Sequence, residues 1–265
     1  MRLIAANITA IYRRELQSYF KSPLAYIVAG VFWFLLGSLF INILLRVSQQ
    51  AASLEVQRQL SAINEVFDAP AWILDYFFSA TASIVMGILP LLSMNLYAEE
   101  RKRGTLELLA TSPVTNWSVA IGKLGAVWTL FLSLLLPIIV LQAVTLSLAK
   151  PAISFGVFWA GYGGILAIAA AILSLGLFIS SLTDDAILAA ILTYALVLFL
   201  FLIDAFAVNI PGTLGEILTH LSLLKHFTTL SQGVISINSL VLFGSYILLG
   251  IFLTAQSIDL VRFKQ

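Results

Sequence analysis

The sequence predicts an all-α integral membrane protein with six transmembrane helices, and three observations predict it. Of 265 residues, 60% are hydrophobic and only 10% are charged, against about 25% charged in an ordinary soluble domain. Six stretches, at 23–45, 74–97, 117–147, 153–181, 186–208 and 239–260, are long and apolar enough to cross a hydrocarbon core of about 30 Å. They are continuous rather than alternating, which argues against a barrel. In lipid each segment must satisfy its own backbone, so helices follow. The third observation is charge asymmetry. With the N-terminus inside, the inner side holds Arg2, Arg13, Arg14, Lys21, Arg101, Lys102, Arg103, Lys123, Arg262 and Lys264. The outer side holds only Arg46, Arg58, Lys150 and Lys225. Positive charge stays inside, and six spans place both termini in the cytoplasm.

The same composition excludes a soluble enzyme, a disordered chain and a nucleic-acid binder. A net charge of +1 offers no bulk attraction to polyanions, and the absence of Cys excludes disulfides and thiolate metal sites.

Residues 1–22 precede the first span. Within them Ile4, Ile8, Ile11, Tyr12, Leu16 and Tyr19 recur at three- or four-residue steps, with Arg13, Arg14, Gln17, Ser18 and Lys21 on other faces. This is the pattern of a helix lying flat in the headgroup layer of an anionic leaflet. Ser22-Pro23 turns the chain into span one. That span is too long for a signal-peptide core and is expected to remain as a true span.

Residues 46–72 are polar and lie outside. Leu54, Leu60 and Ile63 suggest a short amphipathic helix that Ala69-Pro70 ends. Span three carries Pro137, which removes a helical N–H and predicts a kink, with Gln142 to Lys150 leading out of the membrane. Span four is rich in small residues. Gly163, Ala167 and Ala171 at i, i+4 and i+8 predict a close-packing face within the chain, with a subunit interface as the alternative. Asp204, near the end of span five, is placed at the outer headgroup boundary. Residues 209–238 are too polar to span and too apolar for a loop. Leu214, Ile217, Leu218, Leu221 and Leu224 recur helically after Pro211-Gly212, which predicts short helices dipping partway into the outer leaflet. His220 and His226 are six apart, not the i,i+4 spacing of a helical metal pair, and read as interfacial residues.

The most informative segment is 98–113, on the cytoplasmic side between spans two and three. Span two is expected to continue as a helix through Glu99, Glu100 and Arg103, with Glu99 and Arg103 at i,i+4. Gly104 breaks that helix. A second short helix runs from Thr105 to Thr111, Pro113 stops it, and Thr115 or Asn116 caps span three. So short a helix is marginal alone in water, and Leu106, Leu108 and Leu109 would be exposed on it. It needs something to dock into, and the chain offers nothing large enough on that side. A cytoplasmic partner with a groove is the inference; a turn lying against the headgroups is the alternative.

Glu-Glu-Arg-Lys-Arg-Gly-Thr-Leu-Glu-Leu-Leu-Ala-Thr-Ser-Pro at 99–113, followed by Gly122-Lys123, resembles the signature of ABC-2 type transporter permeases, the membrane subunits of ABC transporters. Ser22-Pro23-Leu-Ala-Tyr26, Gly176 to Leu182 with Asp185 to Ala190, and Ser222 to Phe227 with Gly233 to Leu240 add to it. The similarity spans nearly the whole chain and is nearest to the bacterial gliding-motility and copper-processing permeases. The resemblance implies a single 1–265 membrane domain with an N-terminal elbow helix, a cytoplasmic coupling helix and re-entrant helices before span six. It also implies a bacterial plasma (inner) membrane location, a second permease copy, two ABC ATPase subunits and outward export. By that carry-over Gly104 to Ser112 form the coupling helix, and Glu99, Glu100, Arg103, Gly104, Thr105, Leu106, Glu107, Leu108, Leu109, Ser112 and Pro113 form the ATPase interface.

The chain is not expected to hydrolyse ATP. A phosphate-binding loop needs Gly-x-x-x-x-Gly-Lys-Ser/Thr. The one Gly-Lys, Gly122-Lys123, is followed by Leu124 and has Trp117 where the first glycine belongs. No cofactor is expected in this chain; ATP and Mg belong to the partner. Few charges line the apolar spans, and Phe40, Asn42, Thr193, Tyr194 and Phe199 are candidates for a path suited to amphiphilic cargo. A membrane scaffold that recruits an ATPase to a motility or envelope complex, without moving cargo, stays open as a second reading.

Overall fold

The computed structural model describes residues 2–60, 68–105, 115–149, 155–207 and 210–262. Among them every regular element is a helix, and six helices are long and apolar enough to cross a membrane. The order is α1 (Arg2–Lys21), α2 (Pro23–Leu60), α3 (Ala69–Ser93), α4 (Ala98–Lys102), α5 (Asn116–Ser147), α6 (Phe155–Leu182), α7 (Ala186–Ala207), α8 (Thr213–His220), α9 (Leu223–Ser231) and α10 (Ile237–Arg262).

α6 is the axis of the bundle, with α3, α5, α7, α9 and α10 packed around it. Its closest approach is to α10. Ser174 donates to the Tyr246 carbonyl across that interface at 3.1 Å, and a Cβ on Gly250 would lie 2.5 Å from the Ser174 carbonyl oxygen. Only a residue without a side chain lets the two backbones meet there. On another face the rings of Phe78 and Tyr162 meet edge to face at 5.2 Å. Outside this core, α2 is pinned to α5 beside Pro137. Pro137 leaves the Ser133 carbonyl without its helical donor; on the neighbouring residue the Trp33 indole donates to the Leu134 carbonyl at 2.8 Å.

α1 lies along α5. Tyr12 donates to Thr129 at 3.1 Å, and Ile8 and Ile11 press on Gly122. Arg13, Arg14, Gln17 and Ser18 face away, as the amphipathic pattern requires; Ile4 is exposed as well. Asn116 at the start of α5 donates to Asp259 near the end of α10 at 2.6 Å. Both chain ends therefore sit at one end of the bundle, the termini end. The starts of α6 and α10 mark the far end.

Several expectations need correction. The helix of the first span, α2, does not stop where the apolar run ends at 45. It continues to Leu60 without a break, so the separate helix expected within 46–72 is an extension of α2; Ile63 falls outside the described residues. Ala69-Pro70 opens α3 instead of closing a helix. A first-turn N–H needs no helical partner, so proline costs nothing there, and Asp68 caps the turn by accepting from the Ala71 N–H at 3.2 Å. Span two does not run unbroken through Arg103: a turn at 94–97 separates α3 from α4. Gln142, polar within the span, faces the protein interior. It is fully buried and accepts from the Tyr162 hydroxyl at 2.7 Å. In α6 the packing glycines are Gly161 against Phe78 and Gly164 against Phe227 and Leu230, while Gly163 faces outward. Phe40 and Thr193 are buried inside the subunit, so neither can line a path between two copies; Asn42, Tyr194 and Phe199 are exposed.

Candidate functional site

The segment at 98–113 emerges from a joint built at the termini end. α3 stops at Ser93, and the 94–97 turn would orphan several backbone groups in a buried place. One hydroxyl satisfies three of them. Ser180, near the end of α6, accepts from the Tyr97 and Ala98 N–H groups at 3.0 and 3.1 Å and donates to the Met94 carbonyl at 2.7 Å. Arg101 on α4 donates to the Ser181 carbonyl at 2.6 Å. The start of α4 is thus fastened to the axial helix.

The second fastening is ionic. Lys123, two turns into α5, is 3% exposed. Its ammonium donates to Glu100 of α4 at 2.9 Å, to Glu15 of α1 at 3.2 Å and to the Leu96 carbonyl at 2.8 Å. The Tyr97 ring lies beneath it, 5.0 Å from the nitrogen. A buried cation is tolerated only when paired and fully hydrogen-bonded, and these partners meet that need. Glu15 and Glu100 are largely but not wholly buried. One Glu100 oxygen, Oε2, and the Tyr97 hydroxyl are buried without a hydrogen-bond partner among the described residues. The electrostatics reach Tyr19 of α1: burial first, then the Glu15 and Glu100 carboxylates, pushes its phenol far above the usual range.

Beyond the joint the chain turns out. Gly104 has φ +69°, a left-handed conformation that disfavours a side chain, and Thr105 donates back to the Glu100 carbonyl at 3.1 Å. Glu99 and Arg103 form the expected pair at 2.5 Å, with both side chains well exposed, so it is worth at most about 1 kcal/mol. Beside this exit lies a charged groove of about 650 Å³, lined by Asn95, Glu99, Lys102, Arg103, Asp184 and Asp185 among others.

Of the residues proposed as an interface, Glu99, Glu100, Arg103, Gly104 and Thr105 are therefore placed together at this exit. Glu100 points inward to Lys123, while Glu99 and Arg103 face outward. Leu106, Glu107, Leu108, Leu109, Ser112 and Pro113 lie outside the described residues. Thr115 takes the capping position of α5, with its hydroxyl on Ser118 at 2.7 Å, while Asn116 turns to Asp259. Sequence reasoning placed Lys123 on the inner side but missed its role, and missed Glu15, Ser180 and Ser181. The available signal was a carboxylate at Glu15 on the apolar face of α1, in register with Ile11 and Tyr19, and a lysine inside a span. At the far end His220 and His226 stack at 6.2 Å. Among the described residues no three His, Asp or Glu side chains gather as a metal site.

A six-span, all-helical bundle with a surface helix fastened to it and a charged exit at one end defines a multi-pass membrane subunit. The chain belongs to the ABC-2 type transporter family, whose model matches residues 6–237, and it is a permease subunit of an ABC transporter. The match does not single out the gliding-motility or copper-processing branch. Comparison with curated proteins finds no match.

Proposed function

We propose that the chain forms the translocation path of an exporter and takes its power from separate ATP-hydrolysing subunits docked on residues 104–112. The observation that carries the reading is the double fastening of α4. A force applied just past Gly104 reaches α6 through Ser180 and Arg101. It reaches α5 and α1 through Glu100 and Lys123. Such a joint passes a displacement to the whole bundle and not to one loop, which suits rigid-body rocking between two discrete states.

Family membership implies ABC ATPase partners and pairing of permeases in general; two ATPase copies and a second permease are this proposal's stoichiometry. In it the termini end faces the cytoplasm across a bacterial inner membrane. Hydrolysis of ATP with Mg takes place in the partner, since Lys123 is already committed to Glu15, Glu100 and Leu96 and Trp117 stands where a phosphate loop needs glycine. Replacing Leu108 and Leu109 by Asp tests the docking. The double variant is expected to reach the membrane folded but to lose copurification with the ATPase and to lose export. Undiminished binding and export would contradict the proposal.

A further inference from the structure

At the far end α9 buries Leu223, Phe227 and Leu230 in the bundle, while α8 before it stays largely exposed. Leu230 and Phe227 of α9 pack on Gly164, which is nine residues into α6 and so about 14 Å along its axis. The Tyr246 hydroxyl, nine residues into α10, donates to the Leu221 carbonyl at the α8–α9 junction at 2.9 Å. These contacts, with that of His226 on Ser239 two residues into α10, hold the junction against the first turns of α6 and α10 at the far end.

Next to the junction is a recess of about 390 Å³. It is lined by Ile217, His220 and Leu221 of α8, His226 of α9, and Asn238, Val241, Leu242 and Ser245 of α10. The α10 residues fall at i, i+3, i+4 and i+7, one helical face. His226 is internally satisfied. Its Nδ1 meets Ser239 at 2.9 Å, and its Nε2 meets the His220 carbonyl at 3.1 Å. It has no lone pair to spare for a metal without breaking those bonds. The His220 ring and the Asn238 amide have no hydrogen-bond partner among the described residues, and both line the recess. Lys225, on the turn before His226, acts on that imidazole as a nearby positive charge. Glu216, one turn before His220, is not in the lining. On the side of the opening Ile217 and Val241 are 56% and 61% exposed, and Leu248 continues the same stripe two turns down α10.

Exposed, unpartnered polar donors at the far-end rim of the bundle, beside an apolar stripe that runs down α10, suit a ligand with a polar head and a hydrocarbon tail. We propose that this recess seats the phosphate head of a membrane phospholipid entering sideways. His220 and Asn238 donate to the phosphate oxygens, and an acyl chain lies along Ile217, Val241 and Leu248. The inference is independent of the ATPase.

The test uses the full chain in nanodiscs of phosphatidylglycerol and phosphatidylethanolamine, doped with a photo-activatable phosphatidylglycerol. Adducts are expected on peptides covering 217–221 and 238–245. The His220→Ala/Asn238→Ala double variant is expected to lower them roughly tenfold, equivalent to about 1.4 kcal/mol, with adducts elsewhere unchanged. His220→Gln/Asn238→Gln should keep most of the signal, and Val241→Trp should abolish it by filling the recess. Excess inorganic phosphate should not compete. Adducts spread evenly along α10, or unchanged in both the double alanine variant and Val241→Trp, overturn the proposal. Competition by inorganic phosphate makes the recess a free-anion site and overturns the lipid assignment too.

Discussion

Helices α6 and α7 are comparably apolar along their length, yet they live in different surroundings. Along their most apolar stretches 72% of the residues of α6 are buried by the rest of the chain, against 28% in α7 and in α2. Hydropathy reports only that a helix avoids water. It cannot say whether the neighbour is protein or lipid, because lipid tails are as apolar as leucine. What separates the two is the distribution of small residues and hydroxyls. α6 presents Gly161, Gly164, Ser174, Gly176 and Ser180 to its neighbours; α7 offers Ile187, Ile191, Phe199 and Phe206 outward. The same contrast divides the ion pairs at the termini end, where Lys123 is sealed in and Arg103 stands in the open.

The ion pairs give the sharpest way to break this comparison. Lys123→Ala leaves two carboxylates facing each other in a buried place and should cost about 3–5 kcal/mol. Arg103→Ala should cost under about 1 kcal/mol. Thermal unfolding of the two variants in one detergent reads the difference; equal losses would mean that burial does not rank these pairs. Next come the glycines. Gly176→Leu drives a side chain into Ser93 and Thr193 and should cost about 1–3 kcal/mol or more. Gly37→Ala in α2, with nothing within 4 Å, should be neutral or gain up to about 1 kcal/mol from helix propensity.

Ser180→Ala removes the acceptor for two buried N–H groups and should cost about 1–3 kcal/mol. Hydrogen exchange should rise at Tyr97 and Ala98 while α7 is unaffected. The smallest effect is pH-dependent. Burial lowers the His226 imidazole below 6.5, so the unfolded chain takes up this proton first on acidification. Stability is full above about 6.5 and falls as pH drops towards the folded value. The thermal midpoint should therefore fall between neutral and mildly acidic pH, and His226→Gln should remove that part of the slope.

The six spans were legible because period, length and lipid leave few alternatives: α6, α7 and α10 lie within two residues of their expected bounds. The charge at Glu99 and Arg103 was legible because i,i+4 spacing is local. What escaped was long-range. Nothing near Lys123 in sequence announces Glu15, 108 residues away, and nothing near Tyr97 announces Ser180. The extent of α2 escaped for another reason: polar residues such as Gln49 and Gln50 end a span without ending a helix. Gly163 receives no contact within the chain while Ala171 is buried, because a small residue marks a possible contact and only the rotation of α6 decides which one is used.

Accessibility of residue 105 tests the central claim most directly. The chain has no cysteine, so Thr105→Cys is its single thiol. A membrane-impermeant maleimide applied to sealed vesicles of known sidedness should label it only from the face where ATP is hydrolysed, and binding of the ATPase should protect it. Labelling from the opposite face, or equal labelling with and without the ATPase, would contradict a power-receiving joint at this end of the bundle.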